Sequence, residues 1–285
     1  YEIIEKRITA CIASYLAVLS SSNEYLDKYP IDLEVLISNI GAHLTLFDCA
    51  CKSRGIPSYL VINGILGSQY SDESKYATYI NSYSDCIKQH YFQGMNNIVS
   101  LGDPRMDVYD EGSMRSNIDR HRPVIVIGAS GFNSVDLNSY VAVEFDFMFD
   151  VLSALSVVKK QMNAKVIIKT RPNGYRWQYE SFVERFFPGV VDEIHSTIPM
   201  KELLECTDFY ISLYSQTLFE ASCLGIPVVY YKKDNEMLDP PFDSKSELVT
   251  VSSISELVQA LTDFRVGHDR FNSFLDRKVM EKYIG

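Results

Sequence analysis

Residues 208–231 read DFYISLYSQTLFEASCLGIPVVYY. An apolar run ends at Ser212-Leu213, and a polar turn, Tyr214-Ser215-Gln216-Thr217, follows it. The next residues have helical spacing and close at Gly225, after which IPVVYY (226–231) is a second apolar run. Strand, helix and strand in so short a stretch make a βαβ unit, the building block of a parallel α/β sheet. Ligands of such sheets sit beyond the carboxyl ends of the strands, and the polar turn lies at such an end. Amides of residues 215–217 open a helix, where an anion is favoured, with hydroxyls beside them. Glu220 falls one turn further in, where an acid can accept from both hydroxyls of a ribose. Taken singly, Ser215 is also an ordinary helix N-cap and Glu220 a solvent-facing acid. That plainer account does not cover the whole package of strand, polar turn, Glu-Ala, Gly and Pro-Val-Val.

The alternation extends in both directions. PVIVIG (123–128), AKVIIKT (164–170) and VDEIHS (191–196) are predicted strands, and 145–162, 179–187, 200–207 and 254–264 are predicted helices. This half reads as a doubly wound sheet with right-handed crossovers. Upstream, residues 1–29 have apolar side chains at helical spacing (Ile3, Ile4, Ile8, Cys11, Ile12, Tyr15, Leu16, Leu19) until Pro30. Strands over 33–39, 57–62 and 96–102 alternate with helices over 42–55 and 85–93. Three or four strands are few for a full Rossmann domain, so missing upstream residues are expected to complete this sheet. The polar stretch DEGSMRSNIDRHRP (110–123) is the linker candidate.

Two more strand mouths carry candidate groups. Gly128-Ala129-Ser130-Gly131 follows a strand, and its small residues would let amides approach an anion; a plain strand-to-loop turn fits equally. Lys169 and Arg171 stand at the end of AKVIIKT, where a diphosphate or carboxylate would lie, and Arg can fork onto two oxygens; a solvated pair at a strand end is the plainer account.

Composition excludes some classes. The 285 residues carry a net charge of -10, with 46% hydrophobic and 22% charged residues. The chain is therefore globular, and its acidity disfavours nucleic acid. Cys11, Cys49, Cys51, Cys86, Cys206 and Cys223 form no C-x-x-C pair, so reduced thiols within cores are expected rather than disulfides or zinc. No apolar run reaches the ~18 residues of a membrane span, which leaves open a peripheral contact with a membrane surface.

With these residues in view, the chain resembles GT-B glycosyltransferases. Ser215, Thr217, Glu220, Ala221, Gly225, Pro227 and Val228 match the donor motif S-x-T-x-x-E-A-x-x-x-G-x-P-V. The nearest look is to bacterial surface-polysaccharide enzymes, including capsule and lipopolysaccharide Kdo transferases and CDP-glycerol glycerophosphotransferases. Lys169-Thr170-Arg171-Pro172 is similar to their K-x-H-P segment, with Arg171 in place of His. Leu101–Tyr109 (LGDPRMDVY) is similar to the G-x-P-R-x-D-x-Y segment that ends the N-terminal domain. Asn63-Gly64 followed by Asp72 is similar to the E-N-G loop of Kdo-type transferases, with Ile62 in place of its Glu.

The resemblance implies two Rossmann-like domains facing a cleft. They would span 1–118 (acceptor side, incomplete) and 119–266 (nucleotide-sugar side), with a helix over 267–285 crossing back. It implies a donor held between about Gly128 and Pro227 by Gly128, Ser130, Gly131, Lys169, Arg171, Ser212, Ser215, Gln216, Thr217 and Glu220, with Ile198 and Met200 bracketing the base. Transfer needs a group to deprotonate the acceptor hydroxyl, or a carboxylate nucleophile. Asp72 and Glu73 are the candidates, Asp107 a weaker one, with Arg171 meeting the leaving-group charge. His195 is read mainly as structural. No D-x-D pair occurs, and Asp146 and Asp150 lie four apart among Phe and Met, so no metal is expected; nor is a cofactor, the nucleotide sugar being a substrate. The expected activity is transfer from an activated sugar, CMP-Kdo by preference, to a glycan or lipid-linked acceptor of capsule, lipopolysaccharide or O-antigen. The expected setting is the cytoplasm, at the inner face of a bacterial membrane, beside other glycan-assembly enzymes. Alternatives are a sugar-nucleotide 2-epimerase, a CDP-glycerol glycerophosphotransferase and a non-catalytic GT-B-like binding module.

Overall fold

The computed structural model describes residues 2–37, 41–62, 77–110, 117–129, 140–172, 174–213, 215–232 and 248–283. The chain divides into two compact units, and for the described residues the division falls between Asp103 and Pro104. That point lies ahead of the polar stretch 110–123 read as a linker, so the PRMDVY segment goes with the second unit.

The first unit holds helix α1 (Glu2–Lys28), strand β1 (Glu34–Leu36), helix α2 (Ala42–Ser53), strand β2 (Ser58–Leu60), strand β3 (Tyr79–Ser82), helix α3 (Asp85–Tyr91) and strand β4 (Ile98–Ser100). The strands pair in parallel in the order β1-β2-β3-β4. Each crossover steps the same way, so right-handed connections place the covering helices on one face. β1 shows this directly. Glu34 and Leu36 are buried, whereas Val35, pointing the other way, is exposed.

The apolar spacing of residues 3–16 does form a helix, but not a buried one. Ile3, Ile4, Ile8, Ile12 and Leu16 are all exposed. Among the described residues, only the last turns of α1 are anchored, through Leu26 against Ala50 and Cys51 and Tyr25 against Phe47. β3 has no apolar run to announce it. Its interior Asn81 donates to Gly102 O and accepts from Leu101 N, and Ser82 donates to Ser84 O at 2.8 Å. Satisfied polar groups fill positions that a buried strand usually gives to aliphatic ones.

The second unit starts with the short helix α4 (Asp107–Asp110). Then follow β5 (Val124–Gly128), α5 (Tyr140–Met162), β6 (Lys165–Lys169), α6 (Arg176–Phe186), β7 (Glu193–His195), α7 (Met200–Leu204), β8 (Phe209–Ser212), α8 (Thr217–Cys223), β9 (Val228–Tyr231), β10 (Val249–Val251) and α9 (Ile254–Val266). A 3-10 segment, Asp269–Leu275, and helix α10 (Arg277–Met280) end it; α10 packs on α8, within this unit. β10 (VTV) has no continuous apolar run to mark it in the sequence.

All strands here are parallel, in the order β10-β9-β8-β5-β6-β7. Numbered from β5, that is the Rossmann order 3-2-1-4-5-6. The direction of travel reverses between β5 and β8, so the helices lie on both faces. Accordingly α5 packs on α9, and α7 on α8. Aromatic rings pack together within the largely aliphatic core: Phe209 meets Phe264 at 4.6 Å and Phe271 at 5.6 Å between ring centroids. Two aspartates pin strand starts. Asp208 accepts from Asp119 N at 3.1 Å and Val124 N at 2.8 Å, and Asp192 accepts from Val166 N at 2.7 Å.

All six cysteines are free. Only Cys51 is buried, which corrects the expectation of core thiols: Cys11, Cys49, Cys86 and Cys206 are exposed. No described helix is long and apolar enough to cross a membrane.

Candidate functional site

In open α/β sheets a reversal of strand order marks where a crevice opens, and here it falls at the carboxyl ends of β5 and β8. Gly128 pairs with Ser212 on one side and with Lys169 on the other, so three predicted residues meet across adjacent strand ends. Ser212 Oγ donates to Gly128 O at 2.8 Å, and Ala129 N to Lys169 O at 2.9 Å.

Gly128 is required here for a reason other than ligand approach. A Cβ on it would stand 1.9 Å from Tyr210 Oη and 3.1 Å from Ser212 Oγ. The fully buried Tyr210 thus reaches under the mouth of β5 and fills the crevice floor. Its hydroxyl lies 2.5 Å from Thr217 Oγ1, which lies 2.8 Å from Ser215 Oγ. This chain of hydroxyls leads from the core to the half-buried turn. Burial above all, then the Glu220 charge, holds the Tyr210 phenol far above its ordinary range, so it stays a neutral hydroxyl.

α8 begins at Thr217 and ends after two turns, with Gly225 at φ 73° leading into β9. Its opening is less bare than the sequence suggested, because Thr217 N donates to Ser215 Oγ at 3.3 Å. On so short a helix the macrodipole is small, and Ser215 and Thr217 bring two mutually bonded hydroxyls to its start. Gln216, half-buried, is the N-cap residue.

Glu220 is half-buried on α8 and accepts a 2.5 Å hydrogen bond from Tyr109 Oη on α4. Tyr109 is buried, and its phenol is held far above the usual range by burial first and by the Glu220 carboxylate second. In the sequence Tyr109 stands out only as the end of a domain-closing segment, and nothing singles out Tyr210. Neither role leaves a spacing signal, because both arise from contacts between distant elements.

Lys169 is placed differently from the expectation of a free ligand-facing cation. It is buried, and its ammonium donates to Thr170 O at 2.7 Å and Ser196 O at 2.9 Å. Burial depresses its pKa. Lys169 therefore ties β6 to the loop after β7, with one of its three donors left over. Arg171 is exposed in the turn that Gly174 N closes onto Arg171 O at 2.9 Å, and its guanidinium makes no bond with any described residue. Tyr175 enters α6 at φ 34°, a strained conformation for a non-glycine residue that costs about 1 kcal/mol. Ile198 and Met200 are half-buried around the start of α7.

Ser130, Gly131, Asp72, Glu73, Asn63 and Gly64 lie outside the described residues. Asp107 is exposed at the start of α4 and belongs to the second unit, not the first. Asp150 accepts from the Tyr231 hydroxyl and is buried. Among the described residues no group of His, Cys, Asp and Glu is arranged to hold a metal. A groove of about 580 Å³ lies apart from the crevice, between α6 and β7. Its polar lining is engaged internally, with Arg176 on Glu180 at 2.7 Å and His195 on Glu193 at 2.8 Å, so it is the weaker candidate.

The geometry defines an α/β protein whose second unit has a Rossmann switch point floored by tyrosine and rimmed by hydroxyls, with a tethered carboxylate nearby. Comparison with solved structures supports the class. The chain is similar to a putative UDP-N-acetylglucosamine 2-epimerase from Listeria monocytogenes at TM-score 0.63 and 13% identity, covering 95% of this chain and 74% of that one. It is similar to the UDP-GlcNAc 2-epimerase from Neisseria meningitidis bound to UDP-GlcNAc (TM-score 0.59, 14% identity, 95% and 76% covered). It is similar also to Anabaena HepE in complex with UDP-glucose (TM-score 0.56, 11% identity, 93% and 78% covered). These likenesses show a GT-B-like α/β fold. No protein-family model matches the chain, and no curated protein matches it.

Proposed function

We propose that this protein acts on a nucleotide-activated sugar whose nucleoside diphosphate lies across the mouths of β5 and β8. The observation that carries this is the switch point: Ser212, Ser215 and Thr217 place hydroxyls at the reversal of strand order, and Glu220 follows on α8. A half-buried carboxylate at this point is suited to a ribose diol. The hydroxyls and the exposed Arg171 guanidinium suit the diphosphate.

Uracil is favoured as the base, because the similar structures include proteins named for, or bound to, UDP-sugars. This moves the preference away from CMP-Kdo. Epimerisation at C2 is favoured as the reaction for the same reason. Inverting C2 requires a base to take its proton as the C1–O bond to UDP breaks, and an acid to return a proton to the other face of C2 as UDP adds back at C1. Asp72 and Glu73, read from the sequence as candidates to deprotonate an acceptor hydroxyl, would take this different role here, and no bound cofactor or metal is called for.

Transfer to a glycan or lipid-linked acceptor is the second reading, favoured by the match of Ser215, Thr217, Glu220, Gly225 and Pro227 to a transferase donor motif. A cytoplasmic site at a membrane's inner face belongs to that reading.

Incubation with UDP-N-acetylglucosamine in D2O, without acceptor, separates the two. Epimerisation yields a second UDP-sugar with deuterium at C2 by NMR; transfer releases UDP only when an acceptor is added. Calorimetry with UDP, CDP, CMP and GDP tests the shared premise, since binding to none of them would sink both readings. Binding without turnover would leave a non-catalytic module, and turnover of CDP-glycerol would point to phosphotransfer. Glu220→Ala is expected to weaken nucleotide binding by about tenfold or more.

A further inference from the structure

Glu220 is not an isolated acid on a helix surface. Tyr109 holds its Oε2 at 2.5 Å, within the range of a charge-assisted O–H···O⁻ bond. Both residues lie in the second unit, where α4 packs directly on α8. Tyr109 is only 6% exposed, and Met106, whose carbonyl accepts from Tyr109 N at 2.8 Å, is buried beside it. The phenol therefore reaches Glu220 from a fixed base. Because its pKa is held far above neutrality, it is a donor at every physiological pH.

The consequence follows from carboxylate geometry. A glutamate on a two-turn helix has several rotamers, and each aims its oxygens differently. Fixing one oxygen fixes the plane of the group. A carboxylate has about four acceptor positions, and the bond from Tyr109 takes one of them. Neither residue lies in a strand, and the bond joins the segment before β5 to the helix after β8.

We propose that Tyr109 is a positioning residue that sets Glu220 to receive the vicinal hydroxyls of a ribose. The site thereby selects ribonucleotide-activated sugars over 2′-deoxyribonucleotide ones. This rests on the nucleotide-sugar reading above, and it adds the residue that orients the carboxylate and the donor class it selects.

The test compares UDP with 2′-deoxy-UDP by calorimetry. Wild-type protein binds UDP more tightly by about tenfold, the worth of one hydrogen bond to a charged group. Tyr109→Phe loses most of that preference by weakening UDP, while 2′-deoxy-UDP affinity stays within about twofold. A merely structural tyrosine would weaken both ligands alike or neither, leaving the ratio unchanged, and that result overturns the proposal. Tighter UDP binding by the variant overturns it too, since Tyr109 would then be competing with the ribose. If Tyr109→Phe does not fold, Glu220→Asp draws the carboxylate back from the phenol, and a retained preference in that variant overturns the proposal equally. The outcomes separate the two claims. Wild-type binding of neither nucleotide removes the nucleotide reading and this proposal together. Equal binding of both removes the ribose contact alone.

Discussion

Glu34→Gln is expected to stabilise the first unit at alkaline pH and to leave it unchanged at acidic pH. Glu34 is on the covered face of β1, 6% exposed, opposite Asp48 and Cys51 of α2. Burial first, and then the Asp48 charge, push its pKa from 4.5 up to about 7. The other groups facing it are Cys51, whose thiol burial pushes up to about 11, and Lys52, which is bound to Asp48 at 2.6 Å. Lys52 is thus committed to the other member of the pair. Glu34 Oε2 and Asp48 Oδ1 have no hydrogen-bond partner, as fits a carboxyl pair that shares too few protons.

The direction of the pH effect follows from that rise. The folded state holds the Glu34 proton more tightly than the unfolded chain does. The stabilisation is therefore complete below about pH 4.5, declines as pH rises, and is lost above about pH 7. A rise of that size is worth about 3 kcal/mol at most, and about 2 kcal/mol after allowance for relaxation. Glutamine carries the hydrogen-bonding pattern of the protonated acid at every pH. The variant should equal wild type at pH 4.5 and exceed it by about 2 kcal/mol at pH 8. The single tryptophan, Trp177, is in the second unit, so fluorescence does not report on this one. Hydrogen exchange of peptides covering residues 42–60, read by mass spectrometry, does. At pH 8 their protection should rise about 30-fold over wild type at the same pH, and the difference should vanish near pH 4.5. A gap that is the same at both pH values, or a less protected variant at pH 8, would refute the account.

Three further outcomes can be measured by thermal melting of the second unit. Gly128→Ala brings a methyl group within 1.9 Å of Tyr210 Oη and should destabilise by about 3 kcal/mol, partly restored in combination with Tyr210→Phe; an unchanged melting temperature would contradict it. Lys169→Met leaves the carbonyls of Thr170 and Ser196 without their donor and should cost about 2–4 kcal/mol; a loss of nucleotide affinity with stability intact would instead mean that the ammonium faces the ligand. Asp208→Asn turns one of two acceptors into a donor facing an amide and should cost about 2 kcal/mol, and a neutral effect would show that β5 does not depend on this contact.

The second sheet was legible because its strands are continuous apolar runs. VIVIG, KVIIK, FYIS and VVYY, each flanked by turn residues, fix both the strands and their mouths. In the first sheet β3 was hidden, since Asn81 and Ser82 satisfy themselves with side-chain bonds that no pattern of hydrophobicity reveals. Spacing also marks a helix without saying which face is covered, so α1 was found but the exposure of Ile4, Ile8 and Ile12 was not. At the site, residues adjacent along the chain, such as Ser215 and Thr217, could be read together. The partners Tyr109 and Glu220 are 111 positions apart, and Gly128 and Tyr210 sit on different strands, so only the fold brings them into contact. Lys169 was read as a cation at a strand mouth; that its ammonium turns back onto two carbonyls depends on the loop after β7.

The contact of Gly128 with Tyr210 also limits how this site can be re-engineered. Loop grafting treats the segment after β5 as an interchangeable module, but here the last residue of β5 and the side chain of β8 form one steric unit. A β5 loop taken from another protein and beginning with alanine would not seat above this tyrosine. A β8 taken from another protein without the tyrosine would leave a hole beneath this glycine. Grafts that carry both strands should succeed where single-loop grafts fail. Among descendants of a common ancestor, substitutions at 128 and 210 should likewise arrive in pairs.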